Sequence, residues 1–120
     1  MADSLTTFFD AWGTADAAAR KDMIADATTA DVTYSDPRSG SRLSGQDAVA
    51  DYVGMFSANA PGWTAKVVSS DEINGYSRSI IAFGGMGPDG TEMTQHGTYF
   101  CETVDGKLSM IAGFVGTGAA

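Results

Sequence analysis

Three turn signals divide the second half of the chain: Asn74-Gly75, Pro88-Asp89-Gly90 and Asp105-Gly106. A type I′ hairpin turn needs positive φ at both central residues, and Asn-Gly or Asp-Gly supplies that at little steric cost. The intervening segments are rich in β-branched residues, aromatics and glycine. They predict four strands joined by three hairpins, at 64–73, 76–86, 91–103 and 107–116. Strands of this length exceed the usual run of about five or six residues, so the sheet must twist or curl. An antiparallel meander buries one face, and its cover has to come from the first half of the chain.

That first half has helical spacing. Leu5, Phe8, Phe9 and Trp12 fall at i, i+3, i+4 and i+7 and form one apolar stripe, with Asp3 or Ser4 as N-cap. Gly13-Thr14 interrupts it, and Thr14 can cap a second, alanine-rich helix over 15–27 with Ala19, Met23, Ile24 and Ala27 on its apolar positions. A short strand is predicted at 30–35. Ser44 followed by Asp47 resembles a capping box for a third helix, whose stripe is Val49, Tyr52, Val53 and Phe56 and whose end is Asn59-Ala60-Pro61-Gly62. The predicted order is α-α-β-α-β-β-β-β. It is an α+β class in which three N-terminal helices pack on the concave face of a long curved antiparallel sheet and leave a pocket between them. The 120 residues fit a single domain, 1–120, with residues 116–120 as a flexible tail.

Composition removes several functions. Seven basic against fifteen acidic residues give a formal charge of −8, which repels nucleic-acid phosphates and anionic membrane surfaces. The basic residues are scattered rather than interleaved with aromatics, so no nucleic-acid partner is expected. No apolar run approaches the roughly 18 residues of a membrane helix. MADSLTTFFDAW has acidic residues where a secretory signal has basic ones, which makes a cytoplasmic location the expectation. One cysteine, Cys101, cannot close an intrachain disulfide. One histidine, His96, cannot build a histidine-rich metal site, and no calcium-loop or phosphate-loop pattern is present, so neither metal nor cofactor is expected.

The stretches ADVTYSDPRSGSRLSGQDAVADY and VDGKLSMIAGF, together with the Phe8-Phe9-Trp12 stripe, resemble the nuclear transport factor 2-like superfamily and, more narrowly, its SnoaL-like domains. The resemblance implies a cone-shaped α+β barrel and a place among isomerases, polyketide cyclases, dehydratases, epoxide hydrolases and non-enzymatic binding domains. Ketosteroid isomerases of this superfamily use an aspartate before a proline at the end of the first strand as general base, and Asp36 occupies that motif. Their oxyanion hole is a tyrosine on the first helix and a protonated aspartic acid on the third meander strand. The corresponding positions here are Trp12 and Thr98, with His96 two residues before the latter.

Asp36 has two readings. As Asp before Pro it can start a turn, its carboxylate accepting nearby backbone N–H groups. Alternation also puts Val32, Tyr34 and Asp36 on one face of the strand, and if the helices cover that face, the carboxylate points into the pocket as a base. Along 93–101, Thr94, His96, Thr98 and Phe100 share one face, and Met93, Gln95, Gly97, Tyr99 and Cys101 the other. Parity leaves open which is inward; the resemblance turns the Thr98 face, and with it His96, toward the pocket. The candidate catalytic pair is therefore Asp36 and His96. Trp12, Tyr34, Phe56, Trp63 and Thr98 are candidate substrate contacts, the aromatics being equally readable as core. The expected activity is a cofactor-independent isomerase, cyclase or dehydratase that abstracts a proton from a small hydrophobic carbonyl compound. The alternative is a non-catalytic ligand-binding or dimerisation module of the same fold. A homodimer through the uncovered face of the sheet is expected in either case.

Overall fold

The apolar stripe at the N-terminus forms a helix of seven residues, α1 (Ser4–Asp10), which tightens into a 3₁₀ turn at Ala11–Gly13. The computed structural model describes residues 3–87 and 89–116. Asp3 caps α1 by accepting from the Thr6 N–H at 2.8 Å. Leu5, Phe8, Phe9 and Trp12 are all buried, and each fully buried side chain of this size is worth roughly 1.5–3 kcal/mol. Next come α2 (Ala17–Ala27), β1 (Thr28–Ser35), β2 (Leu43–Ser44) and α3 (Gln46–Asn59). The meander is β3 (Thr64–Ile73), β4 (Tyr76–Met86), β5 (Glu92–Val104) and β6 (Lys107–Val115).

Two caps differ from the sequence expectation. Asp16, not Thr14, caps α2, because a carboxylate two residues before Ala18 reaches its N–H directly at 3.0 Å, while the Thr14 hydroxyl turns back to the Asp10 carbonyl. The N-cap of α3 is Gly45 at φ 90°, with no side-chain bond from Ser44.

The meander pairs antiparallel as expected, and both two-residue turns have the positive φ that type I′ requires: Asn74 at 48° with Gly75 at 84°, and Asp105 at 52° with Gly106 at 79°. The sheet as a whole is mixed. Its order is β2-β1-β6-β5-β4-β3, and β1 runs parallel to β6 with Tyr34 opposite Ile111 and Ser35 opposite Ala112. The connection from β1 passes through α3 and the meander before β6 returns beside it, and so long a crossover permits parallel pairing. The short β2 hairpin partner of β1 was not foreseen.

The three helices lie on one side of a curved, unclosed sheet, with α1 against α2 and β3, and α3 against α2 and β1. A register shift in β3 lies between Val67 and Ser69. Gly85 has a use of its own: a Cβ there would run into the Trp63 indole, which lies across it. The expected tail at 116–120 falls, after Gly116, outside the described residues. No helix among the described residues is long and apolar enough to cross a membrane.

Candidate functional site

Val32 and Tyr34 are fully buried on the helix-covered face of β1, and Asp36, the next residue on that side, leaves the strand half-buried at its end. Pro37 cannot donate a ladder bond, so the chain turns here. Asp36 Oδ1 accepts the N–H of Arg38 at 2.9 Å and of Ser39 at 2.8 Å, and the Ser39 hydroxyl closes the loop by donating to the carbonyls of Asp36 and Ser41. The turn-former and the inward-facing carboxylate are thus one residue in both roles.

Two tyrosines donate to that carboxylate, and a third stands behind one of them. The Tyr34 hydroxyl donates to Oδ2 at 2.6 Å, and the Tyr52 hydroxyl from α3 lies 2.7 Å from Oδ1 and 2.8 Å from Oδ2. The Tyr99 hydroxyl on β5 is 3.2 Å from that of Tyr34. Because the Tyr34 proton is committed to an anion at the shorter distance, Tyr99 donates into the Tyr34 oxygen. Burial pushes the Tyr34 hydroxyl well above its ordinary pKa, and the charges of Tyr99 and Asp36 add to this. Burial also raises Tyr52, reinforced by its bond to Asp36, and raises Tyr99. All three phenols therefore remain donors around neutral pH, arranged as Tyr99 to Tyr34 to Asp36, with Tyr52 arriving from the other side.

Behind this chain stands a continuous set of rings. Trp12 packs against Phe56 at 5.0 Å between centroids, Phe83 at 5.5 Å, Tyr34 at 6.1 Å and Tyr52 at 6.2 Å. Phe9 meets Tyr99 edge-on at 5.0 Å. The space expected between helices and sheet is occupied by these side chains, and Tyr52, Phe56 and Phe83 are its half-buried outer members.

Of the expected site residues, Asp36, Tyr34, Trp12 and Phe56 are brought together; Trp63, Thr98 and His96 are not. Trp63 is half-buried over Gly85 and donates to the Met86 carbonyl at 3.1 Å. His96 is exposed, and Thr98 donates to the Gly116 carbonyl on the outer surface of the sheet. There Thr98 lines a shallow cavity of about 220 Å³ with Ser69, Asp71, Arg78 and Ile80. The expected pairing of His96 with Asp36 is therefore not formed: the inward face of β5 is that of Gly97, Tyr99 and Cys101, each buried.

Tyr52 and Tyr99 are the site residues that sequence reasoning passed over. The reason for the position of Tyr99 lies in its partners, which become its neighbours only through the strand register. Gly113 stands directly opposite it on β6 and has no room for a Cβ beneath the Tyr99 ring, and Gly97, next but one on β5, is crowded by the same ring. A large residue flanked by glycines on one face marks that face as the packed one.

A model of the SnoaL-like domain matches residues 5–111. The chain belongs to the SnoaL-like domain family. Among solved structures, a candidate isomerase of the SnoaL-like family from Agrobacterium tumefaciens is 21% identical with a TM-score of 0.79, over 95% of each chain. An NTF2-like protein of unknown function from Exiguobacterium is 23% identical with a TM-score of 0.73, over 97% of this chain and 99% of its own. An epoxide hydrolase of the LEH-like kind from Mycobacterium tuberculosis is 15% identical with a TM-score of 0.70, over 94% and 80%. At these identities the likeness is one of fold. No curated protein matches the sequence significantly. This SnoaL-like domain carries an aspartate at the end of its first long strand, with phenols in place of a histidine around it.

Proposed function

We propose that this SnoaL-like domain binds a small, uncharged, hydrophobic carbonyl compound beside Asp36 and moves a proton on the carbon next to the carbonyl, without a cofactor. The observation that carries the reading is the half-buried Asp36 carboxylate held between Tyr34 and Tyr52 at the edge of an aromatic face. Oδ1 accepts two backbone N–H groups and the shorter contact of Tyr52, which leaves Oδ2, facing Tyr34 and the longer contact of Tyr52, as the less occupied and more basic oxygen. In the proposed step a C–H bond of the substrate breaks, its proton goes to Oδ2, and the electron pair moves onto the carbonyl oxygen. A neutral carboxylic acid is a weaker acceptor than a carboxylate, so Tyr52 is then released to donate to the new oxyanion. Return of the proton to the same or another carbon gives isomerisation; attack of the enolate on a second carbonyl gives cyclisation.

A non-catalytic binding or dimerisation role is the second reading, favoured by the fixing of Oδ1 in the turn. Solvent deuterium exchange into a panel of cyclic ketones, 1-tetralone among them, separates the two. Enzyme-dependent exchange that disappears in Asp36→Asn supports the catalytic reading, and exchange no faster than in buffer leaves the binding role.

The same proposal includes a second copy of the chain against the outer surface of the sheet. Phe100 and Phe114 are 42% and 57% exposed there and meet edge-on at 5.8 Å. Lys66 and Arg78 stand on that face with Asp71, Glu92 and Glu102, whereas Asp10, Asp16, Asp22, Asp26, Asp47 and Asp51 lie in or at the ends of the helices. The sheet surface is thus less acidic than the helical side, which weakens the repulsion between two copies there. Sedimentation should give twice the chain mass and revert to the single mass on Phe100→Glu with Phe114→Glu; a monomeric native protein contradicts this. The expected setting remains the cytoplasm.

A further inference from the structure

Tyr99 is 4% exposed, and its hydroxyl has one side-chain partner among the described residues, the Tyr34 oxygen at 3.2 Å. Two glycines are given over to seating its ring. An added Cβ at Gly113 would collide with that ring and one at Gly97 would come within 3.2 Å of it, while Phe9 meets it edge-on at 5.0 Å. Packing alone would be served as well by phenylalanine, which has the same ring. The hydroxyl has a definite place instead: it begins a chain that ends on Oδ2, the oxygen that takes the proton in the proposed step.

A phenol that accepts a hydrogen bond at its oxygen becomes a stronger donor through its own O–H. Tyr99 therefore strengthens the 2.6 Å bond from Tyr34 to Asp36, and a bond of that kind favours the ionised carboxylate over the neutral acid. The other charged or titratable neighbours of Asp36 are Tyr52 on α3, which donates to it directly, and Arg38, exposed on the turn. From β6 the site receives Gly113 and from the first helical segment Trp12, neither of which titrates. We propose, resting on the reaction above, that Tyr99 is a positioning residue for the base: acting through Tyr34, it holds Oδ2 ionised and so extends the reaction to lower pH, while making Oδ2 a weaker base at neutral pH.

The test follows the side-chain carboxyl ¹³C resonance of Asp36 on the full chain, assigned with Asp36→Asn, from about pH 3 to pH 7. Relative to the native chain, Tyr99→Phe should raise the titration midpoint by about 0.5 pH unit, and Tyr34→Phe should raise it by more than about one unit. Adding Tyr99→Phe to Tyr34→Phe should move it by less than about 0.1 unit further, because the path to the carboxylate is already cut. Gly113→Ala, which pushes the Tyr99 ring from its seat and keeps the hydroxyl, should raise the midpoint in the same direction, and it serves where Tyr99→Phe does not fold. Deuterium uptake into 1-tetralone should cross over in Tyr99→Phe: about twofold faster than native at neutral pH, and about twofold slower on the acid side, where the native rate is falling. A merely structural role would slow both. A raised midpoint without deuterium uptake in the native chain upholds the role of Tyr99 and removes the catalysis. An unmoved or lowered midpoint, or a Tyr99→Phe shift as large without the Tyr34 hydroxyl as with it, overturns the role of Tyr99 and leaves the catalysis standing where uptake is seen.

Discussion

Removing the Tyr34 hydroxyl tests the direction of the hydrogen-bond chain, because Tyr34→Phe keeps the ring and deletes only the link between Tyr99 and Asp36. The lost bond is charge-assisted and 2.6 Å long, a class worth about 1.5–3 kcal/mol, and the buried Tyr99 hydroxyl is then left without its acceptor at a further cost of about 1–3 kcal/mol. Tyr34→Phe should therefore cost about 3–4 kcal/mol. Tyr99→Phe removes only a neutral donor from the far end, for about 1 kcal/mol. In the double variant no hydroxyl is orphaned, so its cost should fall to about 2–3 kcal/mol, below that of Tyr34→Phe alone. Urea denaturation reads this directly: with a slope of about 1.5 kcal/mol per molar, Tyr34→Phe lowers the midpoint by about 2 M and the second substitution restores part of it. Simple addition of the two single effects, or a Tyr99→Phe cost equal to that of Tyr34→Phe, would refute the chain as drawn.

Three other outcomes follow from the same geometry. Stability should fall above neutral pH in two stages: burial raises the Cys101 thiol to about 12 and raises Tyr34 and Tyr99 further, so the unfolded chain releases these protons first. Their stabilising contribution is complete below the unfolded values of about 8.5 for Cys and 10 for Tyr, and is lost as pH rises through the folded ones. The slope should be about 1.4 kcal/mol per pH unit from the thiol and about three times that once both tyrosines join, with Tyr52, more open to solvent, adding less. Urea midpoints from pH 8 to 11 check the sign, and Cys101→Ala should remove the first stage. Gly113→Ala puts a methyl into the Tyr99 ring and should cost about 1–3 kcal/mol, whereas Gly84→Ala, where the new atom meets its nearest neighbour at 3.5 Å, should stay within about 0.5 kcal/mol; thermal melts of the two are the comparison.

The meander was legible because its turns carry their own chemistry: Asn74-Gly75 and Asp105-Gly106 fix hairpins locally, whatever surrounds them. The α1 stripe was legible for the same reason, since its spacing is an intrinsic property of the helix. The parallel pairing of β1 with β6 was not, because it depends on where a long crossover returns, and no short run of residues records that. Val32, Tyr34 and Asp36 share a face by alternation, so Asp36 follows the two apolar residues, but which face the helices cover is decided by packing and not by β1 alone. For β5 alternation gives two faces of mixed polarity and leaves the choice open; the resemblance points to the Thr98 face, whereas the structure buries that of Gly97, Tyr99 and Cys101. What decides between them is the pairing of Tyr99 with Gly113 across strands, a relation visible only once the register is known. Tyr52 was placed on its helix correctly, but its approach to Asp36 is a tertiary event.

In the proposed reaction Asp36 is the proton acceptor, and His96 stands apart on the outer surface. Initial rates of deuterium uptake into 1-tetralone and its panel, measured side by side for the native chain, Asp36→Asn and His96→Ala, test both statements. The rate should fall at least about a hundredfold in Asp36→Asn and stay within about twofold of native in His96→Ala. Retention of the rate in Asp36→Asn, or its loss in His96→Ala, would contradict this assignment.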